Sequence, residues 1–307
     1  MRVFARPRLR SSAAAGDAES PLARFAADFA GSRIAVLGLA VFVLIALAAI
    51  LAPWITPQDP YDLAEIDILD SQLPPGAESY DGFTYWLGTD GQGRDMLSAI
   101  VYGLRTSLSV GALSALLALL LGTALGLLAA YFGGAVDTVL MRVVDLQLSF
   151  PAILIALILL AILGQGVDRI IVALVAVQWA YYARTARGAA LVERSKEYVE
   201  AAMGLGLGHR RVVFRHLLPN CLPPLIVIIT VQVANAIALE ATLSFLGLGV
   251  PITEPSLGLL IANGYNFLLS GMYWISVFPG IALLITIVSI NLVGDQLRDV
   301  LNPRLQK

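Results

Sequence analysis

Residues Glu197 to Asn220 read EYVEAAMGLGLGHRRVVFRHLLPN, a charged stretch in a mostly apolar chain. Glu197 and Glu200 precede three alternating glycines, a run of three arginines and the only two histidines, His209 and His216. Two imidazoles seven positions apart on a basic segment point to interfacial side chains rather than a metal site. DGQGRD (Asp90–Asp95) supplies closely spaced acids, but a calcium loop of the EF-hand type needs more oxygen ligands across about twelve residues. Asp90, Arg94 and Asp95 are better read as a turn capping a helix, with Asp90 accepting from backbone amides and Arg94 holding a carboxylate, or as a partner surface. Glu240 sits in an apolar run, where an ionisable group is a functional candidate by default; a structural hydrogen bond is the competing reading. Gln232 and Asn235 precede Glu240 without forming one stripe with it at helical spacing. Gln147, with Ser149 near Pro151, is a candidate for lining a pathway or for bonding between helices.

Other chemistry is missing. A P-loop requires Lys after Gly, whereas the two lysines follow Ser195 and Gln306. No HExxH, CxxC or GxSxG pattern occurs, and the single cysteine, Cys221, allows no internal disulfide. Asp137 and Asp145 lie near one helix end, not paired at the depth an intramembrane protease would need. The expectation is a non-catalytic chain with no cofactor, no metal and no nucleic-acid partner.

The elements holding these residues are membrane spans. The chain has 307 residues, 58% hydrophobic and 14% charged, with mean hydropathy +0.80, against about 25% charged in a soluble domain. A bilayer core takes about 20 apolar residues per helix. Six spans are predicted: Ile34 to Ala52, Thr106 to Val136, Leu146 to Val167 with Pro151 inside, the short Ile170 to Ala183, Leu217 to Leu239, and Tyr273 to Val293. With the N-terminus in the cytoplasm, 17 of the 20 basic residues fall on the cytoplasmic side, all but Arg94, Arg105 and Arg169. That bias sets orientation. The first outer loop carries nine acids instead. The expected organisation is a cytoplasmic tail over 1–33, its first two dozen residues aperiodic and disordered, and a first span over 34–53. An acidic extracytoplasmic loop follows over 54–104, then a core of five spans over 105–297 containing a cytoplasmic loop over 188–219, and a cytoplasmic tail over 298–307.

That cytoplasmic loop is too long for a simple helix connection of about 2–8 residues. Good helix formers over Glu197–Ala202, then Gly204, Gly206 and Gly208, predict a helix, a turn and a second, interfacial helix from His209, meeting the membrane at Pro219. Small residues there let another backbone approach, so docking is favoured over mere connection.

Glu200-Ala201-Ala202, Gly206 and His216-Leu217-Leu218-Pro219 resemble the EAA signature of permease subunits of ATP-binding-cassette importers. Arg215-His216-Leu217-Leu218-Pro219-Asn220 is similar to the form found in the dipeptide and oligopeptide branch, which also imports nickel chelates. WLGTDGQGRDMLSAIVYGLRTSL (86–108), LEATLSFLGLGVPITEPSLGLLI (239–261) and GDQLRDVLNPRL (294–305) resemble further segments of the C-type subunit of that branch. The resemblance covers roughly residues 25 to 305. It implies an all-α polytopic protein with the type I importer transmembrane fold, six spans and both termini cytoplasmic, in a bacterial plasma membrane. It also implies a second permease subunit, two ATPase subunits, an extracytoplasmic substrate-binding protein and a lipid environment. Glu200, Ala201, Ala202, Gly206, His216, Leu218 and Pro219 carry over as the ATPase-coupling element, with Glu200 expected to pair with a donor on the ATPase. Di- and oligopeptides are the expected cargo; nickel chelates, glutathione or other small solutes are the alternative. A self-contained channel or secondary transporter would require inverted repeats and midplane charges, and neither is evident.

Overall fold

A computed structural model describes residues 21–62, 64–79 and 82–301. The basic residues Arg2, Arg6, Arg8, Arg10, Arg304 and Lys307, used above for orientation, lie outside them, as does nearly all of the tail expected to be aperiodic. From Pro21 the chain is helical. Helix α1 (Pro21–Ala30) packs Phe25 and Phe29 against Ala35, Val293, Leu297 and Val300. Ser32 then caps α2 (Arg33–Ile50), accepting from the Ala35 amide at 3.3 Å. One further turn, α3 (Ala52–Ile55), ends the first apolar run.

The predicted second span begins ten residues early. Helix α4 runs Met96–Phe132 because Asp95 caps it, its Oδ2 accepting from the Ser98 amide at 2.8 Å and hydroxyl at 2.6 Å. Its first turns bury Met96, Ala99 and Ile100 beneath the outer loop, so helix and apolar run need not coincide. Gly133 and Gly134, both at positive φ, reverse the chain into α5 (Gly134–Leu148). The predicted third span is not one kinked helix. It breaks between Leu148 and α6 (Ala152–Leu163), which is bent 90° from α5. Pro151 caps α6 rather than sitting inside a helix, because the residue before a proline is driven out of helical geometry.

Helix α7 (Val167–Arg194) contains the short fourth span. By length and composition four runs among the described residues could cross a bilayer: α2, α4, His209–Phe245 and α12 (Trp274–Leu301). The α5–α6 pair makes a possible fifth. Helix α7 is not among them, since its last turns carry Arg184, Arg187, Glu193 and Arg194. It is instead sheathed by protein, with Ile170, Ala173, Val177, Ala180, Ala183, Ala186 and Ala190 buried along one side. Gly122 and Gly126 of α4 make this possible: a Cβ on either would collide with the carbonyls of Trp179 and Ala183. Such small-residue pairs four apart let helix backbones meet within lipid.

Helices α8 (Glu197–Gly204) and α9 (His209–Val212) lead through a π-helical turn, Val213–Leu217, into α10 (Leu218–Phe245). Pro219, Pro223 and Pro224 have no amide to return to the preceding turn, and next to Pro219 the Asn220 side chain donates to the His216 carbonyl at 2.7 Å. Ser256 caps α11 (Leu257–Tyr265), which packs between α4, α10 and α12. The outer loop carries a two-residue hairpin, β1 (Ala77–Glu78) with β2 (Thr84–Tyr85). It is docked rather than free: Trp274 of α12 donates to the Thr89 carbonyl at 3.1 Å.

Candidate functional site

The segment 197–219 is built as a projecting finger on a fixed base. Val199 of α8 turns inward, joining Leu127, Tyr131, Tyr182, Val212, Leu217, Cys221 and Leu225 in one buried cluster fed by α4, α7 and α10, and Ala202 is buried on the same helix. Glu200, Ala201 and Met203 face outward, and Leu205 at the tip is 80% exposed. Three alternating glycines do not act alike. Gly204 is the last helical residue, while Gly206 takes φ +72°. The Leu207 amide donates to the Ala202 carbonyl at 3.2 Å and the Gly206 amide to Met203 at 3.0 Å, which is a Schellman stop with glycine at its left-handed position. Gly208 has negative φ and simply precedes α9.

Polar bonds tie this finger to its neighbours. Tyr198 donates to Glu193 Oε2 at 2.7 Å, and Asn220 Nδ2 donates to the Tyr198 hydroxyl at 3.0 Å. Burial and then that carboxylate push the Tyr198 phenol up to about 12, so the bond persists at physiological pH. His209 Nδ1 shares a 2.6 Å hydrogen bond with the Tyr131 hydroxyl of α4. Of the coupling residues expected from sequence, Glu200, Ala201, Gly206 and Pro219 are exposed, Ala202 is buried, and His216 and Leu218 are half-buried at the root. Met203 and Leu205, which were not singled out from sequence, are exposed beside them. The available signal was an apolar side chain stranded between two glycines.

A second polar feature lies within the apolar zone. Gln178 of α7 is buried and donates to the Gln232 carbonyl of α10 at 3.0 Å, and its Oε1 has no partner among the described residues. Gln232 Oε1 accepts from Asn235 Nδ2 at 2.8 Å. Asn235, Thr242 and Tyr181 are exposed beside them, around a hollow of about 420 Å³ walled on one side by Ala152 and Ile153 of α6. The structure thus joins Gln232 and Asn235 and adds Gln178 from another helix, a partner no spacing within α10 could reveal.

Glu240 and Gln147 go elsewhere. Glu240 has no exposed surface; its two oxygens accept from Ser107 and Ser244 at 2.8 Å each, binding α10 to α4. Gln147 donates to the Ala176 carbonyl and to that of Val177 at 3.1 Å, and accepts from Trp179 Nε1 at 2.8 Å. Both are bonds between or within helices, not lining.

Asp90, Arg94 and Asp95 are each no more than 2% exposed, so they present no open surface in this chain. Asp90 Oδ1 accepts from the amides of Gln92 and Arg94 at 2.8 and 3.0 Å, as expected of a turn. Arg94 does not hold a carboxylate. Its Nη2 donates to the Ile252 carbonyl at 3.3 Å, and Nε and Nη1 have no partner among the described residues, while Asp90 is turned toward the amides. The cap of α4 belongs to Asp95. Burial raises the carboxyls of both Asp90 and Asp95 above the usual range, more than their amide bonds lower them.

A family model described as the inner membrane component of binding-protein-dependent transport systems matches residues 122–307, more than half of the chain. A second, the N-terminal transmembrane domain of oligopeptide transport permease C, matches residues 20–75. The dipeptide transport system permease protein of Escherichia coli is 41% identical over 288 residues, covering 94% of this chain and 95% of that one. Its counterpart in Haemophilus influenzae is 37% identical, covering 94% and 97%. The di/tripeptide transport system permease of Pseudomonas aeruginosa is 37% identical, covering 94% and 93%. Among solved structures, the MetNI methionine ABC transporter in an inward-facing conformation superposes with TM-score 0.54 at 21% identity, over 67% of this chain and 98% of that one. That likeness concerns the fold.

Proposed function

This chain belongs to the family of binding-protein-dependent transport system inner membrane components, and on that premise we propose that its cargo is a di- or oligopeptide. It is a multi-pass permease subunit of an ATP-binding-cassette importer. The family implies ATPase subunits, a second permease and a substrate-binding protein as partners. In the reading we favour there are two ATPases, a second and different permease that closes the pathway, and a binding protein on the outer side.

Coupling runs through the finger at 197–208. Glu200, Ala201, Met203 and Leu205 would enter a cleft of one ATPase subunit, with Gly206 setting the angle at which they are offered. Val199 fixes the finger to the buried parts of α4, α7 and α10. A displacement of the finger would therefore move those helices together rather than flex a loop. ATP-driven rearrangement of the ATPases favours one arrangement of the finger over another, and differential contact in two states is what shifts such an equilibrium. The pathway on this subunit would follow Gln178, Gln232, Asn235 and Thr242. Amides and hydroxyls there offer donors and acceptors suited to a peptide backbone in place of water.

The observation that carries this reading is the outward projection of Leu205 and Glu200 on an inwardly anchored helix. Its test is uptake of a labelled dipeptide by the reconstituted complex. Leu205→Asp should abolish uptake and ATPase recruitment while the chain still inserts; uptake by that variant at the unmodified rate would refute the coupling role.

A further inference from the structure

The cytoplasmic halves of α4 and α10 enclose a groove of about 670 Å³ that the transport mechanism leaves unused. That volume falls among small-molecule sites, which run to about 300–1,000 Å³. Its walls are Leu120 and Leu128 from α4 and Leu222 and Ile226 from α10, all exposed. The Thr123 hydroxyl, on a residue only 8% exposed that lines the groove, has no partner among the described residues. At the mouth stand Arg210 and the 63%-exposed Phe214.

Charge decides what belongs there. Arg210, Arg211 and Arg215 are exposed, no acid occurs from Gly204 to Leu239, and none of the three forms an ion pair among the described residues. A hydrocarbon slot opening onto an unneutralised basic cluster at a membrane boundary matches a lipid with an anionic headgroup, which juxtamembrane Lys and Arg attract. The alternative occupant, a helix of the second permease, fits less well. At about 100° per residue, Leu222 and Ile226 lie on the side of α10 opposite Asn235 and Thr242. The polar side is the one that a second subunit must shield from lipid.

We propose that this groove binds one anionic phospholipid of the cytoplasmic leaflet. Its acyl chain lies between α4 and α10, and its phosphate sits at Arg210, with Arg211 and Arg215 widening the basic mouth. The assignment rests on the cytoplasmic placement of α9 but not on the identity of the cargo. Because α9 follows directly on the Gly206 turn, the lipid would brace the root of the coupling finger.

The test uses the whole transporter in phosphatidylcholine nanodiscs doped with phosphatidylglycerol carrying a photoreactive group midway along one acyl chain, against the same group on phosphatidylcholine. Adducts mapped by mass spectrometry should concentrate on residues 119–128 and 222–229, and the glycerol lipid should label several-fold more. Leu120→Trp with Ile226→Trp, which fills the slot, should remove the adducts. Arg210→Gln with Arg211→Gln should remove only the preference for the anionic probe. Equal labelling by both lipids, adducts spread evenly over the helices, or crosslinks from a photoreactive residue at 120 to the second permease would each overturn the proposal. Loss of peptide uptake with lipid labelling intact would count against the cargo reading alone.

Discussion

Gly204 and Gly206 are two positions apart and should behave oppositely on substitution. A Cβ on either meets open space, so sterics do not separate them; backbone geometry does. Gly206→Ala must hold a left-handed conformation costing about 1–2 kcal/mol, and it re-aims Leu205. Gly204→Ala replaces glycine inside a helix and should gain up to about 1 kcal/mol. Paired measurements of thermal unfolding and of uptake per ATP hydrolysed check this; equal loss of coupling in both variants would sink the assignment of the turn to Gly206. Asp90 provides a second residue-scale case. Its carboxyl is raised in the folded loop by burial, so the folded state holds the proton more tightly than the unfolded chain does. The loop's stability is then highest in acid and falls as pH climbs from the unfolded value of about 3.9 through the raised one. Asp90→Asn should flatten that fall without weakening the loop at neutral pH, since an amide oxygen can still accept from Gln92 and Arg94. Hydrogen exchange of loop amides against pH reads it directly, and weaker protection at pH 7 would show that the negative charge is needed beside Arg94.

Among the elements, the α4–α7 pair sets the frame on which the finger and the polar face are mounted. Gly126→Leu would drive a side chain into the Ala183 carbonyl and the Ala186 methyl. Overpacking costs about 1–3 kcal/mol where neighbours can shift, and here the obstacle is backbone, so the upper end or beyond is expected. Gly188→Leu, with open space at its Cβ, is the control and should fold normally. Protease resistance of membrane-inserted protein distinguishes them. Helices α5 and α7 are also joined by ion pairs of unequal exposure. Arg184–Asp145 spans 2.5 Å with both side chains more than half exposed, so Arg184→Gln should cost only about 0–1 kcal/mol. Arg187 makes a two-pronged bond to Asp137 at under a third exposure, and Arg187→Gln should loosen α5 more, seen as faster exchange over residues 134–148.

For the whole molecule, the finger, the polar face and the lipid groove occupy different sides of one α4–α7–α10 unit. Movement at the finger therefore reaches the hollow beside Gln178 through packed helices, without a flexible intermediary. A crosslink between cysteines placed at Tyr198 and Asn220, whose side chains already share a hydrogen bond, should leave ATPase binding intact if the finger moves with its base. If the finger instead pivots at its root during the cycle, the same crosslink would stop transport, and the rigid-lever account would fail.

Sequence by itself determined the family and the membrane class, and it marked out the segment proposed here for coupling. Those follow from local composition and from a contiguous motif, whose Gly206 takes a left-handed turn in this chain. Span positions were only partly legible, because apolar runs mark where lipid is but not where a helix starts; Asp95 starts α4 ten residues early and Pro151 divides the third run, through capping and backbone sterics. Individual side-chain roles depended on pairing across helices. Glu240 reads as a lone acid until Ser107, 133 residues away, is brought beside it. Gln178 gains meaning only when its amide meets Gln232. Whether a polar group in an apolar helix is consumed by a neighbour or left to face a hollow is a property of three-dimensional packing, and only the tertiary structure decided it.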